Sequence, residues 1–129
     1  VSGVRALVTG ASGYIGGRLV PQLLDAGLAV RAGARQKVQL RDQPWADRVE
    51  VVDADVLDPD VIRAALRGVD VAYYLVHAIG KGTDFEEMDR RAARTFAAAA
   101  RDAGVGRIVY LSGLVPDDEE LSPHLRSRQ

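Results

Sequence analysis

Three glycines, Gly10, Gly13 and Gly16, recur at three-residue spacing within Thr9-Gly10-Ala11-Ser12-Gly13-Tyr14-Ile15-Gly16. The run stands between an apolar stretch of strand length, Val4 to Thr9, and a stretch of helically spaced apolar residues that begins at Tyr14. A loop in that context is suited to a pyrophosphate. Gly10 lets the chain turn sharply off the strand, Gly13 keeps a side chain out of the phosphate path, and Gly16 lets the helix pack closely on the sheet. Free N–H groups around Gly13, Tyr14 and Ile15 then face the anion, with Ser12 beside them, and the helix dipole adds attraction. Glycines also serve plain turns, but a strand before and a helix after favour a dinucleotide site.

A second set of residues bears on which dinucleotide. A site for NAD normally carries an acid at the end of the second strand, where it accepts from the ribose 2′-OH. Here that place holds Ala34 followed by Arg35, with Lys37 close behind. An arginine there pairs with a 2′-phosphate through charge-assisted hydrogen bonds. The expected cofactor is NADP, with NAD as the alternative and a merely solvated Arg35 as the bland one. Asp53, Asp55 and Asp58 are spaced carboxylates with no compact ligand set around them, so no metal is expected.

Those residues need elements to hold them. Strands are expected over Val4 to Thr9, Leu28 to Ala34, Val49 to Asp53, Val69 to Val76 and Ile108 to Leu111. Helices are expected from Tyr14 to Gly27, from the Asp58-Pro59 cap to Gly68, and from an Asp84/Glu87 capping box to Gly104. Pro21 should distort the first helix locally, because it removes a donor and crowds the Gly17 carbonyl. The polar stretch from Gln36 to Asp47 reads as a loop or short helix, with Trp45 covering a sheet edge. Alternating strands and helices imply an α/β, Rossmann-like, doubly wound parallel sheet of about five strands in the order 3-2-1-4-5, with helices on both faces. Leu75, Val76 and His77 end the fourth strand and so border the cofactor crevice, where His77 either positions or reacts.

The 129 residues suffice for one domain, 1–129, and the architecture looks cut off at its carboxyl end, since a helix begun at Ser122-Pro123 is left at Gln129. Hydrophobic residues make up 47% and charged residues 27%, the balance of a globular chain. A net charge of −1 argues against nucleic acid and anionic membranes as partners. The absence of cysteine excludes disulfide scaffolds, thiolate metal sites and thiol nucleophiles. No apolar run approaches a membrane span, and a cytoplasmic location is expected. The oligomeric state is left open.

The loop spacing G-x-x-G-x-x-G resembles that of the short-chain dehydrogenase/reductases, in their extended and atypical branches. The likeness continues through Asp53-Ala54-Asp55-Val56, Ala99 to Val105 and Arg107 to Ser112, and covers essentially the whole chain. It is closest to atypical NAD(P)H-binding proteins, among them nitrogen-metabolite-repressor-like regulators and the complex I subunit that holds NADPH. The resemblance implies that the Asp55 side chain accepts from the adenine amino group and that Val56 offers a backbone contact. It also implies a Ser/Thr…Tyr-x-x-x-Lys site in active members. Ser112 matches the serine, but His124 and Arg128 stand where tyrosine and lysine are expected. Arg128 still suits ribose hydroxyls yet is too basic for easy proton relay, whereas His124 titrates near neutrality. Two functions follow as expectations: an NADP(H)-binding domain of an oxidoreductase acting on a small molecule, or a non-catalytic NADPH-binding regulatory or scaffold module. The chain as given is expected to be inactive by itself.

Overall fold

The computed structural model describes residues 3–75 and 85–110. Five parallel strands form one sheet: β1 (Arg5–Thr9), β2 (Ala29–Ala34), β3 (Glu50–Asp53), β4 (Val71–Tyr74) and β5 (Arg107–Tyr110). Their spatial order is β3-β2-β1-β4-β5, as expected. The central strand β1 pairs Thr9 with Gly33 on one side and with Tyr74 on the other. The carboxyl ends of all five strands therefore finish nearly level at one edge, with Ala34 opposite Asp53 and Tyr74 opposite Tyr110.

Both faces of this sheet are covered, so β1 is apolar without alternation, with Ala6, Leu7 and Val8 all buried. Ala6 and Val8 face one core, which is completed by Val20, Leu23, Leu40 and Trp45. Leu7 faces the other, built with Ile62, Leu66, Phe96 and Ala100. The first core lies under helix α1 (Tyr14–Asp25), the second under α2 (Pro59–Ala65) and α3 (Phe85–Asp102). Asp58 caps α2 as its sequence signals, accepting from the N–H groups of Asp60 and Val61.

Pro21 lies within α1, and the helix continues through it. The Gly17 carbonyl that the proline leaves without an in-helix donor accepts instead from the Trp45 indole N–H at 3.0 Å. Trp45 thus serves the helix as well as packing against the sheet. Its ring is in the α1-side core, 2% exposed, and its polar end completes the helix. The stretch between β2 and β3 is accordingly ordered by two short 3-10 turns, Lys37–Leu40 and Ala46–Arg48.

Arg31 is the one buried charged side chain among the described residues, and it sits in β2. Its guanidinium donates to the carbonyls of Ala65 (2.6 Å) and Arg67 (2.7 Å), at the C-terminal end of α2, and to Glu50 (2.9 Å). The cation thus meets the negative end of a helix and its orphan carbonyls, which is how its burial is tolerated.

Candidate functional site

The glycine turn is tied down by its own donors, which leaves those of the helix start unspent. Gly10 adopts φ +72°, which a side chain would strain, and a Cβ there would come 3.4 Å from the Leu75 backbone. Leu75, just past the end of β4, thus lies against the turn, and its own N–H lies 3.4 Å from the Thr9 hydroxyl. Thr9 Oγ1 in turn donates to the Tyr73 carbonyl at 2.9 Å, joining the ends of β1 and β4. The Ala11 N–H donates to Gly33 O at 3.0 Å and ties the turn to β2.

Gly13 is the N-cap of α1, with extended backbone and no side-chain cap. Its N–H donates to the Gly10 carbonyl at 3.0 Å, so it is not among the free donors, as the sequence reading had it. The outward donors are the N–H groups of Tyr14 and Ile15, with no acid in the first turn of the helix to neutralise them. At Gly16 a Cβ would lie well inside contact distance of the Gly10 carbonyl oxygen and 2.8 Å from Ala11 Cα, so this glycine lets the start of α1 close onto the turn while the rest of the helix packs on the sheet. An uncapped helix start, free N–H groups and side-chain-free approach at Gly13 fit a diphosphate.

At the end of β2, Arg35 is exposed and makes no ion pair or hydrogen bond with the described residues. The carboxylate nearest to it in the sheet register, Asp53, accepts from the Lys37 backbone N–H at 2.7 Å. Beyond β3, the Asp55 carboxylate accepts from the Leu57 N–H at 3.0 Å, an Asx turn that orients the loop. The Val56 side chain is buried in the core, which leaves its backbone for any ligand contact. The exposed large apolar side chains among the described residues are Tyr14, Ile15, Val38 and Leu57. All four follow the carboxyl ends of β1, β2 or β3, so one edge of the sheet gathers the free donors, the unpaired arginine and the uncovered apolar groups.

Val76, His77, Ser112, His124 and Arg128 lie outside the described residues, as does the Asp84 end of the expected capping box. Two tyrosines do lie at the ends of β4 and β5. Tyr74 packs edge-on against Phe96 at 4.9 Å and beside Tyr110 at 5.6 Å. Burial drives the Tyr74 phenol well above its ordinary pKa, and Asp89 and Tyr110 push the same way. Burial raises Tyr110 too. Neither phenol is tuned toward neutrality as a proton donor needs to be.

Sequence reasoning missed Gly33 and Arg31. A Cβ on Gly33 would stand 2.6 Å from Ala54 Cβ, so this glycine lets the β3 exit pass over β2. A glycine inside a strand and a charge inside an apolar run were the available signals. Among the described residues, no group of acids and histidines forms a metal site, and no helix is long and apolar enough to cross a membrane.

A family model described as NAD(P)H-binding matches residues 10–128. The chain is 35% identical over 118 residues to a 3 beta-hydroxysteroid dehydrogenase/Delta 5→4-isomerase of Mycobacterium tuberculosis, covering 84% of this chain and 31% of that protein. It is 34% identical over 111 residues to cinnamoyl-CoA reductase 1 of Oryza sativa subsp. japonica, covering 81% and 33%. Among solved structures, Citrobacter sp. triphenylmethane reductase complexed with NADP(H) superimposes with a TM-score of 0.73 at 25% identity, over 96% of this chain and 46% of that one. The chain thus spans about a third of the length of the curated relatives it matches.

Proposed function

The chain belongs to the NAD(P)H-binding family, a Rossmann-like nucleotide domain of short-chain dehydrogenase/reductase type, and from that premise we propose that it takes NADP(H) ahead of NAD(H). The observation that carries the preference is the end of β2. Ala34 stands where an acid would accept from a ribose 2′-OH, and the exposed Arg35 beside it has no protein partner among the described residues. Asp53, the acid that could take that place, is engaged by the Lys37 N–H. A 2′-phosphate meets a free guanidinium there, with Lys37 adding charge.

The diphosphate is held by the Tyr14 and Ile15 N–H groups, with Ser12 and Gly13 lining its approach and Gly10 and Gly16 shaping the turn. Asp55 and the Val56 backbone serve the adenine, and Leu75, Val76 and His77 border the nicotinamide side. When bound, the nicotinamide supplies hydride transfer. The protein that carries this domain reduces or oxidises a small molecule, with Ser112 holding the substrate oxygen, His124 the proton and Arg128 the ribose hydroxyls.

A second reading, a non-catalytic NADPH-binding module, draws support from the same region. His124 and Arg128 replace the expected tyrosine and lysine, and burial moves Tyr74 and Tyr110 away from proton donation.

The test of cofactor choice is Arg35→Ala. Loss of a charge-assisted pair is worth roughly 1.5–3 kcal/mol, so NADPH affinity should fall about ten-fold or more while NADH affinity holds. Calorimetric titration with both cofactors decides it, and an equal fall for the two would remove Arg35 from 2′-phosphate recognition.

A further inference from the structure

We propose that Arg18 is a side-chain grip on the diphosphate of the dinucleotide, parked on the Tyr14 ring until the ligand arrives. The inference rests on the dinucleotide reading above and adds a charged arm to the backbone donors.

Arg18 lies one turn into α1, four residues after Tyr14, and both side chains are exposed. Four residues of helix rise about 6 Å, and helical side chains lean back over the preceding turn. Arg18 does so: its guanidinium carbon lies 4.3 Å from the centre of the Tyr14 ring. The charge is thereby carried to the level of the first turn, where the helix dipole is already positive and a cation is unfavourable. Among the described residues no acid is paired with it there. The first turn holds no acid, and the N-cap supplies no side-chain oxygen. The ion pairs among the described residues use Arg31, Arg63 and Arg90, not Arg18.

The N–H groups of Tyr14 and Ile15, the positive end of the helix dipole and a guanidinium with no ion pair among the described residues thus share the first turn of α1. An exposed aromatic ring is a weak holder of a cation, whereas phosphate oxygens take a guanidinium in short, paired hydrogen bonds. A diphosphate arriving at the Tyr14 and Ile15 N–H groups therefore draws Arg18 off the ring. The grip touches the part common to all these ligands, and so strengthens NADPH, NADH and ADP alike.

The experiment titrates the full-length protein, its Arg18→Gln and Arg18→Lys variants, and Arg35→Ala with NADPH, NADH and ADP in a calorimeter. Arg18→Gln should weaken all three by a similar factor, about ten-fold, while Arg35→Ala weakens NADPH alone. Arg18→Lys, which keeps the charge but not the fork, should fall between wild type and Arg18→Gln. Circular dichroism verifies folding, and if only the lysine variant folds, a loss shared by the three ligands supports the grip and wild-type affinity overturns it. Undiminished binding by folded Arg18→Gln overturns the grip and leaves the dinucleotide reading intact. A loss confined to NADPH also overturns it, by assigning Arg18 to the 2′-phosphate. A wild-type protein that binds none of the three overturns both.

Discussion

Gly13 and Gly16 stand three residues apart, yet a side chain at each would offend a different partner. At Gly13 the backbone has φ −81°, open to any residue, and a Cβ meets only the Gly10 carbonyl at 3.4 Å. Gly13→Val should therefore leave the melting temperature nearly unchanged and abolish dinucleotide binding, because the isopropyl group occupies the phosphate path. At Gly16 a Cβ runs into the protein's own turn. Gly16→Ala should cost about 1–3 kcal/mol of stability through overpacking, seen in denaturant titration with no ligand present. Tyr74 poses a third question at this scale. Its hydroxyl is buried without a hydrogen-bond partner among the described residues. Tyr74→Phe should therefore be neutral or stabilising, by up to about 1 kcal/mol. The pH dependence has a definite sign. The folded phenol ionises well above the value near 10 of the unfolded chain, so its contribution is intact below pH ~10 and declines as pH rises beyond. Unfolding curves of wild type and Tyr74→Phe from pH 8 to 11 should diverge only at the alkaline end; parallel curves throughout would dispose of the argument. The glycine spacing was readable in the sequence, but which glycine serves the ligand and which serves the packing depends on the neighbours that folding supplies.

The elements that carry the site are joined by two polar contacts that span long distances in sequence. Trp45 reaches back 28 residues to the Gly17 carbonyl and completes a helix that Pro21 would leave open. Arg31 reaches forward to the end of α2 and holds that short helix against β2. A seven-residue helix has little stability of its own, so its position depends on such contacts and on packing. Arg31→Met should destabilise the domain by about 3 kcal/mol, since it leaves two carbonyls without donors inside the fold. Glu50→Gln should cost less than about 1 kcal/mol, because Glu50 is largely solvated. Chemical denaturation of the two variants measures the contrast, and equal losses would mean that the ion pair, not the helix-end contact, is what Arg31 contributes. The strand and helix positions themselves were legible to within a few residues, because the apolar period and the Asp58-Pro59 cap are local signals. The Trp45 and Arg31 contacts were not, because each joins residues that only the tertiary arrangement brings together.

At the scale of the molecule, the described residues form a Rossmann-like NAD(P)H-binding domain, with the glycine turn, Arg35 and Asp55 all following strand ends at one edge of the sheet. The curated relatives it matches are about three times as long. The chain by itself is therefore expected to bind NADPH without consuming it in the presence of simple carbonyl compounds, followed by the loss of nicotinamide absorbance. Steady turnover by this chain alone would sink that expectation. In a full-length protein that does turn over, His124→Phe should lower the rate by about 10²–10⁴-fold and erase any pH dependence near neutrality. The amino-acid sequence on its own determined the succession of strands and helices, the glycine turn and the missing acid after β2, because each follows from period, loop context and residue type within a short window. Only the tertiary structure decided that the Gly13 N–H is spent inside the turn, that Asp53 is engaged by Lys37, that Arg35 has no partner among the described residues, and that Arg18 lies over Tyr14. Each of those depends on where a particular atom finds its partner. That is set by the packing of strand ends and helix starts, not by the spacing of residue types along the chain.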